Sequence, residues 1–149
     1  LFDFSGICSN STIMIAALQL DIFILTCGRL SLLQACCESV LAALPASSRV
    51  TVLINGADET TQAWLSAHPH PALAWRAIPL EARGAARNRA FAISNAELIY
   101  FLDDDVIVPP HLFQDCLETF SADPDLFFIL TSEHLQPCAN RTSSTPSSP

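Results

Sequence analysis

Apolar residues follow two rhythms along this chain. Near-continuous runs occur in "LQLDIFILTC" (Leu18 to Cys27), "RVTVLIN" (Arg49 to Asn55) and "ELIYFL" (Glu97 to Leu102), as expected of strands buried on both faces. After Leu30 the spacing changes to threes and fours at Leu33, Cys37, Val40, Leu41 and Leu44, an amphipathic helix that Pro45 ends. Asp58 suits the N-cap of a short helix reaching about Ala67, with Ala63, Trp64 and Ala67 on its inner face. A short third strand fits Ala72 to Ile78 between prolines, and "GAARNRAFAISN" carries Ala86, Ala90 and Ile93 at helical spacing. Pro110 suits the first turn of a further helix with Leu112, Phe113, Cys116, Leu117 and Phe120 as its apolar side. "DLFFIL" (Asp125 to Leu130) reads as a fifth strand.

Strand and helix therefore alternate, which predicts an α/β fold: an open, mostly parallel sheet with helices on both faces. No internal repeat interrupts the pattern. Residues 18–136 form the expected domain, with 1–17 as an N-terminal extension. Residues 137–149, "PCANRTSSTPSSP", have the composition of a disordered tail.

Composition narrows the function classes. Half of the 149 residues are hydrophobic and 15% are charged, enough apolar material for one domain with its own core. A net charge of -8 argues against nucleic acid as a partner. A polyanionic ligand would need help from a metal or from clustered arginines, and all seven basic residues are arginine. The six cysteines show no metal-like spacing, so reduced, structural thiols in a cytoplasmic protein are expected. "TIMIAALQLDIFIL" is too short to span a bilayer and contains Asp21, which leaves peripheral contact with the inner membrane face as the membrane option.

In an open α/β sheet, ligands bind beyond the carboxyl ends of the strands, where the strand order reverses. The polar residues at those ends are Thr26 to Arg29, Asn55 to Asp58 and Asp103 to Asp105. Along an extended segment Asp103 and Asp105 face one way and Asp104 the other, and two carboxylates about 7 Å apart can hold a hard cation. That donor set suits Mg2+ or Mn2+; the competing reading is a solvated acidic turn before Pro110. Arg83, Arg87 and Arg89 gather just upstream, and Arg83 and Arg87 share a helix face that could clamp one anion. The alternative is an exposed face pairing with Glu81 and Glu97. Thr26 and Asn55 could contact a base or ribose, or simply end their strands. His68, His70 and His111 read as surface residues, Trp64 and Trp75 as core, and Glu133-His134 as a weak acid–base candidate.

Three stretches together resemble the family 2 glycosyltransferases. "DIFILTCGRLSLLQACCESVLAAL" resembles their first strand and P-T-Y-N-R-like loop, and "VTVLINGADETTQAWL" their second strand and V-D-N-G-S-like turn. "ARNRAFAISNAELIYFLDDDVIVPPHLFQDCLETF" resembles their A-R-N-x-G…F-L-D-x-D-D stretch, and the segments run in family order over about Asp21 to Leu130. The resemblance implies a Rossmann-like GT-A fold that binds a UDP- or GDP-linked sugar. It places Asp103 at the nucleoside and Asp105 on a Mn2+ or Mg2+ bridging the diphosphate. Arg87 and Asn88 match the residues near the nucleotide, Thr26 the first donor loop, and Asn55 the second. Arg29, Arg83 and Asp104 complete the expected nucleotide-binding set, with Asp103 and Asp105 as the metal ligands. The implied reaction is sugar transfer with inversion to a saccharide, lipid or protein acceptor.

The chain departs from the family at Ile54, where a base-contacting Asp is common, and at Cys27-Gly28, which replaces an aromatic-Asn pair. No carboxylate matches the family's general base, whose half would follow the fifth strand, and the chain opens without Met. The expectation is a truncated donor-binding half. Its alternative role is a non-catalytic module binding a nucleotide or partner, and an uncovered apolar patch would favour a homo-oligomer.

Overall fold

The computed structural model describes residues 18–123, 125–126 and 136–137. Its elements are β1 (Leu20–Thr26), α1 (Leu30–Ala43), β2 (Ser48–Asn55), α2 (Glu59–Ala67), β3 (Leu73–Ile78), α3 (Arg83–Ile93), β4 (Leu98–Asp103), β5 (Val106–Ile107), α4 (Leu112–Ala122) and β6 (Gln136–Pro137). The three apolar runs become neighbours in a parallel sheet of order β3-β2-β1-β4. β1 pairs from Leu20↔Ser48 to Thr26↔Ile54 on one side, and from Leu20↔Leu98 to Leu25↔Asp103 on the other. The expected open α/β sheet is what the chain forms.

Sequence order dictates which helix covers which face. The chain steps from β1 to β2 to β3 in one direction, with α1 and α2 on one side of the sheet. It then returns across the sheet to β4, and a right-handed crossover running backwards must use the opposite face. That crossover is α3. The first face holds Ile22, Ile24, Val50, Val52 and Ile54 under Leu33, Cys37 and Val40 of α1, with Leu65 of α2 and Phe113 of α4. The second face holds Phe23, Leu53 and Phe101 beneath Ala90 and Ile93. Both alternating sets of each central strand are thus buried, which explains the lack of polar alternation in the sequence.

Several expected details shift. The third strand begins at Leu73 rather than Ala72, and the fourth runs Leu98–Asp103 rather than from Glu97. The inner face of α2 is Thr61 and Leu65; Ala63 and Ala67 are exposed, and Trp64 lies at the boundary. Asp58 fixes this phase by accepting from the Thr61 N–H at 3.0 Å, which turns Thr61 toward the sheet. Pro110 precedes the N-terminal cap His111 of α4 and so lies outside its first turn. β5 pairs with β6 in the antiparallel register Val106↔Pro137, so the segment expected as tail begins with a paired residue. The expected strand from Asp125 to Leu130, Glu133-His134, the N-terminal extension and the rest of the tail lie largely or wholly outside the described residues.

The second part of the apolar stretch around Asp21 is β1, and the Asp21 carboxylate accepts from the Ser94 hydroxyl at 2.7 Å. Among the described residues no helix is long and apolar enough to cross a membrane. Cys36, Cys37 and Cys116 are buried, and Cys27 is exposed. Burial, with Glu38 adding to it, pushes the Cys37 thiol up to about 12, which suits a packing role rather than chemistry.

Candidate functional site

The strand order reverses between β1 and β4, and the carboxyl ends of these two strands hold Thr26 and Asp103. The turn after β4 carries Asp104 and Asp105. Gly28, at φ +73°, turns the chain from β1 toward α1, a backbone conformation that costs glycine little. That turn delivers Arg29 to the same corner. Residues more than seventy positions apart in sequence therefore meet.

The three aspartates differ in their surroundings. Asp104 is fully buried, while the Asp103 and Asp105 side chains are each 39% exposed. The Thr26 hydroxyl donates to Asp104 Oδ2 at 2.5 Å, and the Arg29 guanidinium pairs with Asp104 Oδ1. Burial of this carboxylate is tolerable because both oxygens meet donors. The other amino group of Arg29 donates to Asp105 Oδ2 at 3.0 Å. Arg87, one helical turn into α3, donates to Asp103 Oδ1 at 3.1 Å. Burial works against the Arg29 charge, but the attraction of Asp104 and the bonds to Asp105 outweigh it and raise its pKa above the ordinary arginine value.

The back of the turn is braced by α1. Cys36 Sγ contacts the Asp103 carbonyl at 3.8 Å, and the Ser39 hydroxyl accepts from the Val108 N–H at 3.0 Å while donating to the Cys36 carbonyl. Sequence reasoning missed Ser39. The only available signal was a serine on the helix side nearest the apolar stripe, which is too common to interpret.

The structure brings Thr26, Arg29, Arg87 and all three aspartates together. Other contacts hold several of the candidates. Asn55 is buried, and its amide forms a closed pair with Glu81, donating to the Glu81 carbonyl and accepting from the Glu81 N–H, both at 2.9 Å. Its side chain thus joins the β2 turn to the segment before α3. Asp104, expected at the nucleotide, is fully buried and holds the turn through Thr26 and Arg29. Arg83 and Asn88 are exposed on α3, and Arg87, expected to clamp an anion with Arg83, pairs with Asp103 here. Arg89 pairs with Glu81, as the ordinary-surface reading expected, whereas Glu97 accepts from the Gln19 N–H.

Two half-exposed carboxylates flanking a buried one suit a hard divalent cation that takes its remaining ligands from phosphate and water. Among the described residues no group of three or more His, Cys, Asp or Glu side chains could by itself hold a metal ion. A second feature suits an anionic ligand. Arg87 Nε is buried without a hydrogen-bond partner among the described residues, beside the Asp103 pair.

The sequence model described as Glycosyl transferase family 2 matches residues 21–144. Among solved structures, the mannosyltransferase PcManGT from Pyrobaculum calidifontis, in complex with GDP-Man and Mn2+, aligns with TM-score 0.60 and 20% identity. That alignment covers 70% of this chain and 32% of the other. TarS 1-349 from S. aureus aligns with TM-score 0.62 and 15% identity, over 76% of this chain and 39% of its own. The chain thus spans about a third of the length of these structures, with which it shares the fold. No curated protein matches it.

Proposed function

This chain belongs to glycosyl transferase family 2, and from that membership we propose that its aspartate turn binds a nucleotide-diphosphate sugar together with Mn2+ or Mg2+. The observation that carries the reading is the placement of Asp103 and Asp105, each partly exposed at the β1/β4 switch point with an arginine beside it. Asp105 and Asp103 would hold the cation, and Arg87 would stand beside the nucleotide. Thr26 contributes by fixing Asp104, and Asp104 by fixing Arg29 and the turn. A bound divalent cation there would offset the charge of the departing diphosphate. PcManGT, which shares the fold, is in complex with GDP-Man and Mn2+, a combination this donor set would accept.

The reaction proposed for the whole protein is metal-assisted transfer of the sugar to an acceptor hydroxyl, with inversion. The role of this chain alone is narrower. It spans about a third of the related structures, so donor binding is what is proposed for it.

Calorimetric titration with UDP and GDP, each with and without Mn2+, tests the reading. Binding of one nucleotide should require the metal. Asp105→Ala should weaken it by about tenfold or more, as expected for losing a charge-assisted contact. Binding that survives Asp105→Ala unchanged would remove Asp105 from the metal site.

A further inference from the structure

The placement of Arg29 is not explained by local structure. It caps α1 with no side-chain hydrogen bond to the helix, and a cation at a helix N-terminus opposes the macrodipole. What holds it is the aspartate turn, where one guanidinium bridges two carboxylates of different character. Asp104 is fully buried, and its pair with Arg29 is shielded from water on the carboxylate side. Asp105 and Arg29 are 39% and 45% exposed, so their pair is screened and easily opened. The guanidinium is thus anchored at one end and only lightly held at the other.

We propose that Arg29 is a built-in counter-cation that competes with the divalent metal for Asp105 and leaves it for the diphosphate when metal and nucleotide bind together. This rests on the donor-site reading above. A guanidinium and a divalent cation repel each other and cannot share one side of Asp105. Metal alone must therefore displace Arg29 and leave its second amino group without a carboxylate. Metal arriving with a nucleoside diphosphate supplies phosphate oxygens that suit the planar fork of arginine, while Asp104 keeps the other end in place. Arg29 is a positioning residue on this account, and it makes affinity for the cation depend on the nucleotide. By linkage, affinity for the nucleotide depends equally on the cation.

The test measures Mn2+ binding to the full chain by electron paramagnetic resonance of free Mn2+, with and without GDP or UDP. The chains compared are the unaltered one, Arg29→Gln and Arg29→Lys. Arg29→Gln removes the competing charge, so affinity for Mn2+ alone should rise roughly fivefold or more while nucleotide affinity in saturating Mn2+ falls by a similar factor. Arg29→Lys keeps a point charge but loses the fork, so its affinity for Mn2+ alone should lie between the two and its coupling should be smaller than that of the unaltered chain. Should Arg29→Gln fail to fold by circular dichroism, Arg29→Lys decides.

A merely structural arginine would lower both affinities or neither. Either result in a folded variant overturns the proposal. Asp105→Ala separates this failure from that of the donor-site reading. If Asp105→Ala binds Mn2+ as tightly as the unaltered chain, the metal site itself is misplaced and the Arg29 proposal falls with it. Loss of metal binding in Asp105→Ala, with no change in either arginine variant, overturns the Arg29 proposal alone.

Discussion

With its carboxylate fully out of water, Asp104 depends on the Thr26 hydroxyl and the Arg29 guanidinium. Arg29 also serves Asp105, which leaves Thr26 as the donor dedicated to Asp104. Thr26→Val keeps the shape of this buried position and removes only the hydroxyl. It should destabilise the chain by about 2 kcal/mol, the cost of leaving one oxygen of a buried, charged acceptor unpaired. Urea unfolding followed by circular dichroism would measure this, and a change below about 0.5 kcal/mol would mean that Asp104 finds another donor. A charged run at the end of an apolar strand was legible in the sequence, but the expected alternation is not the arrangement found, because β4 ends at Asp103 and Arg29 reaches both Asp104 and Asp105 in the turn that follows. Nor were the partners legible. Thr26 and Arg29 lie more than seventy residues away, and nothing in the spacing of the chain specifies that β4 returns to lie beside β1.

The strands and helices were easier to read than the faces they present. β1 and β2 are largely buried on both sides and β4 is partly buried, so their apolar runs stood out, whereas β5 is two residues long and has no period to detect. The face of α2 was misassigned because its buried residues include Thr61, a polar side chain turned inward by its place three residues after the cap. That cap allows a prediction with a definite pH dependence. Hydrogen bonds from Thr61, chiefly, hold the Asp58 carboxyl below the ordinary aspartate value. A depressed folded pKa means that stabilisation is complete above the unfolded value of about 4 and is lost as pH falls through the folded value. Asp58→Ala should therefore cost about 1 kcal/mol near neutral pH. The deficit should shrink in acid, as the unaltered chain loses the same contribution on protonation. Urea midpoints at about pH 7 and about pH 3 would show this narrowing, and a constant gap would assign the effect to packing instead of the charged cap.

The whole fold converts a crossover into a site. Because the chain reverses direction after β3, α3 alone crosses the second face of the described sheet, and it sits close to that face because Ala86 and Ala90 are fully buried small residues. Arg87 lies between them in sequence and reaches Asp103 at 3.1 Å, so the seating of the helix and the position of the arginine are one geometric fact. The alanine spacing was visible in the sequence, but its consequence was not, since it depends on which face the crossover takes. The coupling can be measured by making the same change on opposite sides of the helix. Ala90→Leu pushes a branched side chain against Phe23 and Leu53 and should cost about 1–3 kcal/mol by overpacking. It should also weaken metal-dependent nucleotide binding, because lifting α3 from the sheet draws Arg87 away from Asp103. Ala92→Leu adds the same atoms at an exposed position of α3 and should stay within about 0.5 kcal/mol, with binding unchanged. If Ala90→Leu lowers stability but binds nucleotide normally, Arg87 is positioned independently of the helix packing, and the site depends on β1, β4 and the aspartate turn without α3.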